Sequence, residues 1–378
     1  MQLSELSTQG FRNLSPDPVS FGAGVTLVTG ENAQGKTNLL EAAALVCGQR
    51  SFRGASPAAM AKDGERFSVS ATVERSAGGE RVSVSWSREE GREFRRGEKT
   101  AGFRELSALA PAVFLAPEHR ELLSGPPSVR RRFLDRLVLA LKPSAGDDLA
   151  RYATALRERN ALLLRARRGQ PAADLELETW TEELCLAGSA LRSHRRAALA
   201  LWHQEFEALA RPAGPSYAGI RVAYAGGPGD SIEELRRECE RLLGLERRRG
   251  YSLSGPHRDD LIWTRAGRAL AAQASAGEAA RTVALAKLAE WTAVSRATGE
   301  APLFGADDFD AGLSEAWADD FFDSLPRETA VVLTTTTPAA RWERRARVVL
   351  SVQDGTASAS SRGILRAVEP RAARSVEA

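Results

Sequence analysis

Apolar and polar residues follow three rhythms along this chain, and each rhythm predicts an element. The solid β-branched run Val25-Thr26-Leu27-Val28-Thr29 predicts a buried strand, after which Leu39, Leu40, Ala43, Ala44 and Val46 recur with helical spacing. Strict alternation follows at Phe67, Val69, Ala71 and Val73, and again at Val82, Val84 and Trp86, with Ser76-Ala77-Gly78-Gly79 as the turn. That pattern predicts a β-meander with one buried face, continued around Phe94. Ahead of these, Leu3, Leu6 and Phe11 predict a first strand, followed by Arg12-Asn13 and broken by Pro16 and Pro18.

The rhythm then turns helical. Ala112-Val113-Phe114-Leu115 predicts a short strand stopped at Pro117, and from about Ser128 to Leu245 leucines recur at helical spacing. Breaks at Pro143-Ser144-Ala145-Gly146, Gly169-Gln170-Pro171 and Arg211 to Pro215 divide this stretch into several helices, with one strand at Ile220 to Tyr224. No heptad repeat is sustained, which argues against a long coiled-coil arm. Strand and turn character returns at Tyr251 to Leu261, a helix opens near Ser275, and apolar segments precede Asp307-Asp308 and Thr334 to Thr337. The expected fold is an α/β P-loop head built from both ends of the chain, with an antiparallel β subdomain and an inserted helical domain. Its expected parts are 1–125 (P-loop and meander), 126–248 (helical insertion), 249–365 (second half of the head) and 366–378 (tail).

The chain has 378 residues, 43% hydrophobic and 27% charged, which suits a soluble globular protein with a full core. The net charge of +3 is small for this length, so any nucleic-acid contact must come from local basic clusters. The three cysteines, Cys47, Cys185 and Cys239, are widely spaced and form neither a disulfide framework nor a CxxC metal pair; a reducing cytoplasm fits them. The first residues lack the basic and long apolar regions of a signal peptide, and no uncharged apolar run could span a bilayer. The expectation is a cytoplasmic protein with no membrane partner.

Between strand and helix lies Gly30-Glu31-Asn32-Ala33-Gln34-Gly35-Lys36-Thr37, a phosphate-binding loop in the context such a loop requires. Its glycines let successive N–H groups converge on phosphate oxygens, and the helix that begins near Gly35 adds its positive dipole end. Lys36 is expected to reach the β- and γ-phosphates of a nucleotide, and Thr37 to ligate Mg²⁺. Asp307 at the end of an apolar strand is the expected second metal partner, and Asp308 the base that orients the attacking water.

Other candidates keep two readings. Arg12 and Asn13 form an exposed turn or a contact near the phosphates; Glu118 and His119 sit near the metal or in an ordinary loop. Ser275, with Glu278 in capping-box register, caps a helix or, with Gly277, binds a phosphate at that helix N-terminus. Arginine clusters at 130–132, 165–168, 192–196 and 247–249 are solvated helix faces or a phosphate-tracking surface.

Taken in order, the loop and Asn38, Phe11-Arg12-Asn13, Pro117-Glu118, Pro127-Ser128-Val129-Arg130-Arg131-Arg132-Phe133-Leu134-Asp135, Ser254-Gly255-Pro256-His257-Arg258-Asp259-Asp260, Ser275-Ala276-Gly277-Glu278 and Asp307-Asp308 resemble the bacterial RecF family, among the SMC-like, ABC-type ATPases of DNA repair. The resemblance covers most of the chain. It implies a composite site, in which Lys36, Thr37 and Asp307 of one chain hold ATP and Mg²⁺ while Ser275, Gly277 and Glu278 of a second chain meet the γ-phosphate. It further implies a weak ATPase and an ATP-dependent homodimer. The DNA partners it implies are double-stranded DNA and gapped DNA; RecR and RecO are implied as protein partners, indirectly RecA, and the location as the nucleoid. Read from the residues alone, a P-loop kinase acting on a small molecule is the alternative. The chain departs from the family pattern at Gly305-Ala306, where bulky aliphatics are usual, at Ser314 in place of the D-loop aspartate, and at Pro117-Glu118, which lacks a glutamine. Thr334 and Thr335 stand where many relatives carry a switch histidine, and beyond Gly355 no function is assigned.

Overall fold

The computed structural model describes residues 2–75, 78–170, 174–227, 229–325 and 329–359. The expected tail at 366–378, the end of the expected head at 360–365, Ser76-Ala77 of the meander turn and Pro171 lie outside the described residues. Contacts divide the chain into two compact units, one formed by Met1–Leu106 with Leu303–Ala378 and the other by Ser107–Pro302.

In the first unit the P-loop strand, Gly24–Thr29, is buried at every position and lies in parallel between Ala330–Thr335 and Val348–Gln353, with Val25 opposite Val331 and Leu27 opposite Val349. Leu303–Ala306 pairs in parallel on the far side of Ala330–Thr335, and Thr356–Ala359 pairs antiparallel with Val348–Gln353. A strand covered on both faces needs an unbroken apolar run and not alternation, which is why Val25 to Thr29 reads as it does. Leu303–Ala306 is also buried at all four positions, so Gly305 and Ala306 do not open its packing.

The second sheet of this unit is the expected meander, in the order Val19–Ser20, Gln2–Gln9, Arg66–Arg75, Gly78–Ser87, Gly91–Arg96, Lys99–Thr100. Its register puts Phe67 opposite Trp86 and Val69 opposite Val84, so the alternating apolar residues share one buried face. Leu3 and Leu6 are both buried although they are three apart. A register shift between Leu3 and Glu5 resets the alternation there. The P-loop helix, Lys36–Val46, packs against strands of both sheets.

The second unit carries the expected helices, at Pro127–Leu141, Gly146–Arg167, Asp174–Ala210 and Ile232–Arg249, together with the Ile220–Ala225 strand. It is wider than the helical insertion expected at 126–248, because it also takes in 107–125 and 249–302. The cause is the packing of the Ala276–Thr298 helix on the long Asp174–Ala210 helix: Trp202, fully buried, donates its indole N–H to Ala286 O at 3.0 Å. Phe206 stacks on Trp202, while Phe133 and Trp263 meet it edge-on, giving an aromatic core. Cys185 and Cys239, 54 positions apart in the sequence, meet as free buried thiols in a second apolar cluster. Among the described residues no helix is long and apolar enough to cross a membrane.

Candidate nucleotide-binding site

The P-loop leaves its strand at Thr29 and turns so sharply that Gly30 takes a φ of +151°, where a Cβ would stand 2.5 Å from Val352 O. Glu31, Asn32 and Ala33 are exposed at the mouth of the loop. Lys36 is buried and folds its ammonium back on Glu31 O at 2.8 Å. The loop is held from outside by Asn13, whose amide nitrogen lies 3.4 Å from Ala33 O and 3.3 Å from Gln34 O. Asn38 in turn donates to Asn13 Oδ1 at 2.7 Å and accepts from Arg53 at 2.9 Å. Asn13 therefore braces the loop backbone, the nearer of its two expected readings to the phosphates. Arg12 takes neither form: its guanidinium makes a bidentate pair with Glu41 at 2.9 and 3.1 Å and donates to Ala59 O. Glu41 is fully buried on the P-loop helix and accepts the Ser51 hydroxyl as well.

A second brace comes from far along the chain and has no counterpart among the sequence expectations. Asp354 and Gly355, at φ +48° and +80°, make a two-residue turn between Val348–Gln353 and Thr356–Ala359. The turn lies on the loop: Gly355 N–H donates to Gln34 O at 2.8 Å, Asp354 N–H to Gln34 Oε1 at 2.6 Å, and Ser15 N–H to Gly355 O at 2.9 Å. The Asp-Gly pair between alternating segments is the signal that could have found it.

The expected metal partners meet. Asp307 and Asp308 follow the last strand residue, Ala306, so the alternation of a strand no longer sends them to opposite faces. Thr37 donates to Asp307 Oδ1 at 3.0 Å, and Thr334 donates to the same oxygen at 2.8 Å. Thr334 also accepts from Asp308 N–H at 2.8 Å. The residue at the switch position thus fastens the two aspartates, and Thr335 accepts from Thr337 N–H. Asp308 sits at φ +41° with Oδ1 buried and without a hydrogen-bond partner. Burial raises its carboxyl above the ordinary range, Lys36 opposes that rise, and Asp310 adds to it. A hydroxyl and carboxylate oxygens are the donors that Mg²⁺ accepts, one or two from protein and the rest from phosphate and water. The orphaned Asp308 oxygen leaves an acceptor for a water beside them, so the residues present fit ATP with Mg²⁺.

Ser275 belongs to the other unit and forms a full capping box. Its hydroxyl accepts from Glu278 N–H at 3.2 Å, Glu278 Oε2 accepts from Ser275 N–H at 3.0 Å, and Arg265 holds Glu278 Oε1 at 3.0 Å. Backbone hydrogen bonding from Ser275, then Arg265, keeps the Glu278 carboxyl below its ordinary range. Ser275 and Ala276 are exposed, so the capped helix presents its N-terminus to solvent. His119 accepts Ala116 N–H on Nδ1 at 2.9 Å, the loop role of its two readings, while Glu118 is exposed.

The arginine clusters divide. Arg192 pairs with Asp259 through two bonds, Arg195 with Asp135, Arg130 with Asp260, and the buried Arg159 with Glu246. Arg131 donates to Asp259 O. Arg130, Arg131, Arg192 and Arg195 are internal ties around Pro256 to Asp260, so neither a solvated face nor a phosphate surface describes them.

A family model described as an AAA domain matches residues 5–111, which contain the P-loop. The chain is 36% identical over 356 residues to the DNA replication and repair protein RecF of Deinococcus deserti, covering 92% of this chain and 94% of that one. It superposes on a structure of the recombination mediator protein RecF-ATP in the RecFOR pathway with a TM-score of 0.88 at 24% identity, covering 95% and 98% of the two chains. An SMC head bound to the C-terminal winged-helix domain of ScpA matches with a TM-score of 0.51 at 14% identity, covering 95% and 98%. The fold is therefore that of the RecF and SMC-head ATPases, and with an identity of 36% across nine-tenths of its length this chain belongs to the RecF family.

Proposed function

We propose that the chain is an ATP-dependent DNA-binding protein of recombinational repair, in which slow ATP hydrolysis times the release of DNA. The observation that carries this reading is the hydrogen-bonded set Thr37, Asp307 and Thr334 beside Asp308, whose buried Oδ1 has no partner. Loop amides and Lys36 hold the phosphates. Thr37 and Asp307 would hold Mg²⁺, which supplies charge neutralisation at the phosphates. Asp308, with its carboxyl raised by burial, accepts a hydrogen bond from the attacking water and orients it.

In this reading Ser275, Gly277 and Glu278 of a second copy close over the γ-phosphate, so that ATP joins two chains. Their exposed helix N-terminus supports the role, since amides and dipole there favour an anion. The names of the relatives, a DNA replication and repair protein and a recombination mediator in the RecFOR pathway, support the DNA-repair role. In the proposed reading double-stranded and gapped DNA are the substrate, RecO and RecR the partners, and RecA loading the outcome. The paired chains act in the cytoplasm at the nucleoid.

The test is the solution mass with and without ATP and Mg²⁺, for wild type, Asp308→Asn and Ser275→Arg. A nucleotide-dependent dimer that persists longer in Asp308→Asn and is lost in Ser275→Arg is the expected result. A dimer that forms normally in Ser275→Arg removes the trans role of that helix. A constant mass under every nucleotide points to a self-contained P-loop enzyme, such as a small-molecule kinase.

A further inference from the structure

Two of the four arginine clusters are not absorbed by internal ion pairs, and the fold brings them together. The Gly146–Arg167 helix ends in Arg165 and Arg167 with Arg168 at its C-cap, and the Ile232–Arg249 helix ends in Arg247, Arg248 and Arg249. These ends converge: Arg167 Nη1 donates to Arg249 O at 3.3 Å, and Gly250 packs on Arg167 and Leu164. Arg258 then places its guanidinium 5.4 Å from the ring of Tyr251. Asp174 takes Arg247 at 2.5 Å. Among the described residues Arg167, Arg168, Arg248, Arg249 and Arg258 make no ion pair, and all five are exposed. Cations at a helix C-terminus complement its dipole, but that effect is spent within the last turn and needs one or two charges per helix. The excess here faces water.

We propose that this end of the helical unit, Arg167, Arg168, Arg248, Arg249 and Arg258 around Tyr251, is a site for the phosphate backbone of double-stranded DNA. The proposal rests on the reading of the chain as a DNA-binding protein and names the surface that does it. Guanidinium forks match phosphate oxygens bidentately, and helix ends hold them at fixed spacing. Arg258 stands over one face of the Tyr251 ring, 5.4 Å from its centre, and so occupies a face on which an unpaired base would stack, which favours duplex over single strand. Leu164 and Tyr251, at 37% and 38% exposure, are too little apolar surface for the centre of a protein interface. The cluster consists of backbone-binding side chains, so binding is independent of base sequence.

The experiment measures binding of a short fluorescent duplex, with ATP present, across a salt series, for wild type and for Arg167→Gln/Arg168→Gln/Arg248→Gln/Arg249→Gln. Removing one arginine–phosphate interaction lowers the salt slope by about 0.9, so the variant's slope should fall by about 3.6 and its affinity at physiological salt by about 100-fold or more. Nucleotide binding of the variant should match wild type, and its melting temperature should fall by only a few degrees, the share of these charges that complements the helix ends. A variant that binds duplex with wild-type affinity and slope overturns this site while leaving the proposed function standing. A wild type that binds no duplex overturns the proposed function, and this site with it. Preference for polyglutamate over duplex at equal charge would make the surface one for an acidic protein and also overturn the proposal.

Discussion

The Thr37 hydroxyl donates to Asp307 Oδ1 at 3.0 Å, joining residues 270 positions apart. The contact follows from parallel pairing: Leu27 lies opposite Leu333 and Leu333 opposite Ala306, so the ends of three strands reach one level and Asp307 emerges beside the loop. Ligands bind at such strand ends in α/β sheets. Asp307→Asn is expected to lower the rate of ATP hydrolysis by about 100-fold or more, with nucleotide affinity in EDTA unchanged. Hydrolysis within a few-fold of wild type would remove Asp307 from the metal site.

Gly355 has no room for a side chain. At φ +80°, its Cβ would stand 1.7 Å from Asn13 O, in the turn that braces Gln34. Gly355→Ala is expected to cost about 2 kcal/mol or more of stability and to weaken ATP binding, because the loop and the turn must separate. Equilibrium unfolding and nucleotide titration read the two effects. Loss of stability with unchanged ATP affinity would show that the turn does not position the loop.

Arg12 and Glu41 form a pair with the carboxylate fully buried and the guanidinium fork bound twice. Arg12→Ala leaves Glu41 with the Ser51 hydroxyl alone, and a buried charge stripped of its partner costs about 3–5 kcal/mol. The double variant Arg12→Met/Glu41→Met should recover most of that loss, since two apolar side chains need no solvation. Denaturant unfolding of both variants checks this; a double variant no more stable than Arg12→Ala would contradict it.

His257 gives a pH signature. Its Nε2 faces Ser252 O at 3.2 Å, so Nε2 carries the hydrogen and Nδ1 accepts the Tyr152 hydroxyl at 2.7 Å. Burial, helped by the nearby charges of Arg258 and Arg131 and opposed by Ser252 O, lowers its pKa to about 4. Asp259 opposes the fall, and the neighbouring Tyr152 phenol is itself raised by burial, so it stays neutral and a donor throughout this range. Below the ordinary histidine value the unfolded chain takes up a proton that the folded chain refuses, so stability falls as the pH drops from about 6.5 towards 4. The difference between wild type and His257→Gln should change by about 2–3 kcal/mol between pH 7 and 4.5 in urea unfolding. Parallel pH profiles would exclude a buried neutral His257.

Local elements were determined by the sequence alone. Strand, loop and helix of the P-loop occupy one continuous stretch, so side-chain type and spacing suffice to specify them. The meander is legible because alternation at Phe67 to Val73 and Val82 to Trp86 is itself the burial pattern. The Ser275 capping box is equally local, and so is Asp307 at the end of an apolar run. What the arginines do was decided only by tertiary structure. Arg192 and Arg167 both stand in arginine-rich helical sequence, yet one pairs with Asp259 in the interior and the other faces solvent. The same holds for Glu41, a helical acid whose buried charge is met by Arg12 from another segment, and for Gly355, whose role depends on Gln34 far away in the chain. A charge or a turn has no fixed value by itself. Its energy is set by the dielectric and the partners around it, and those come from segments that periodicity cannot bring together.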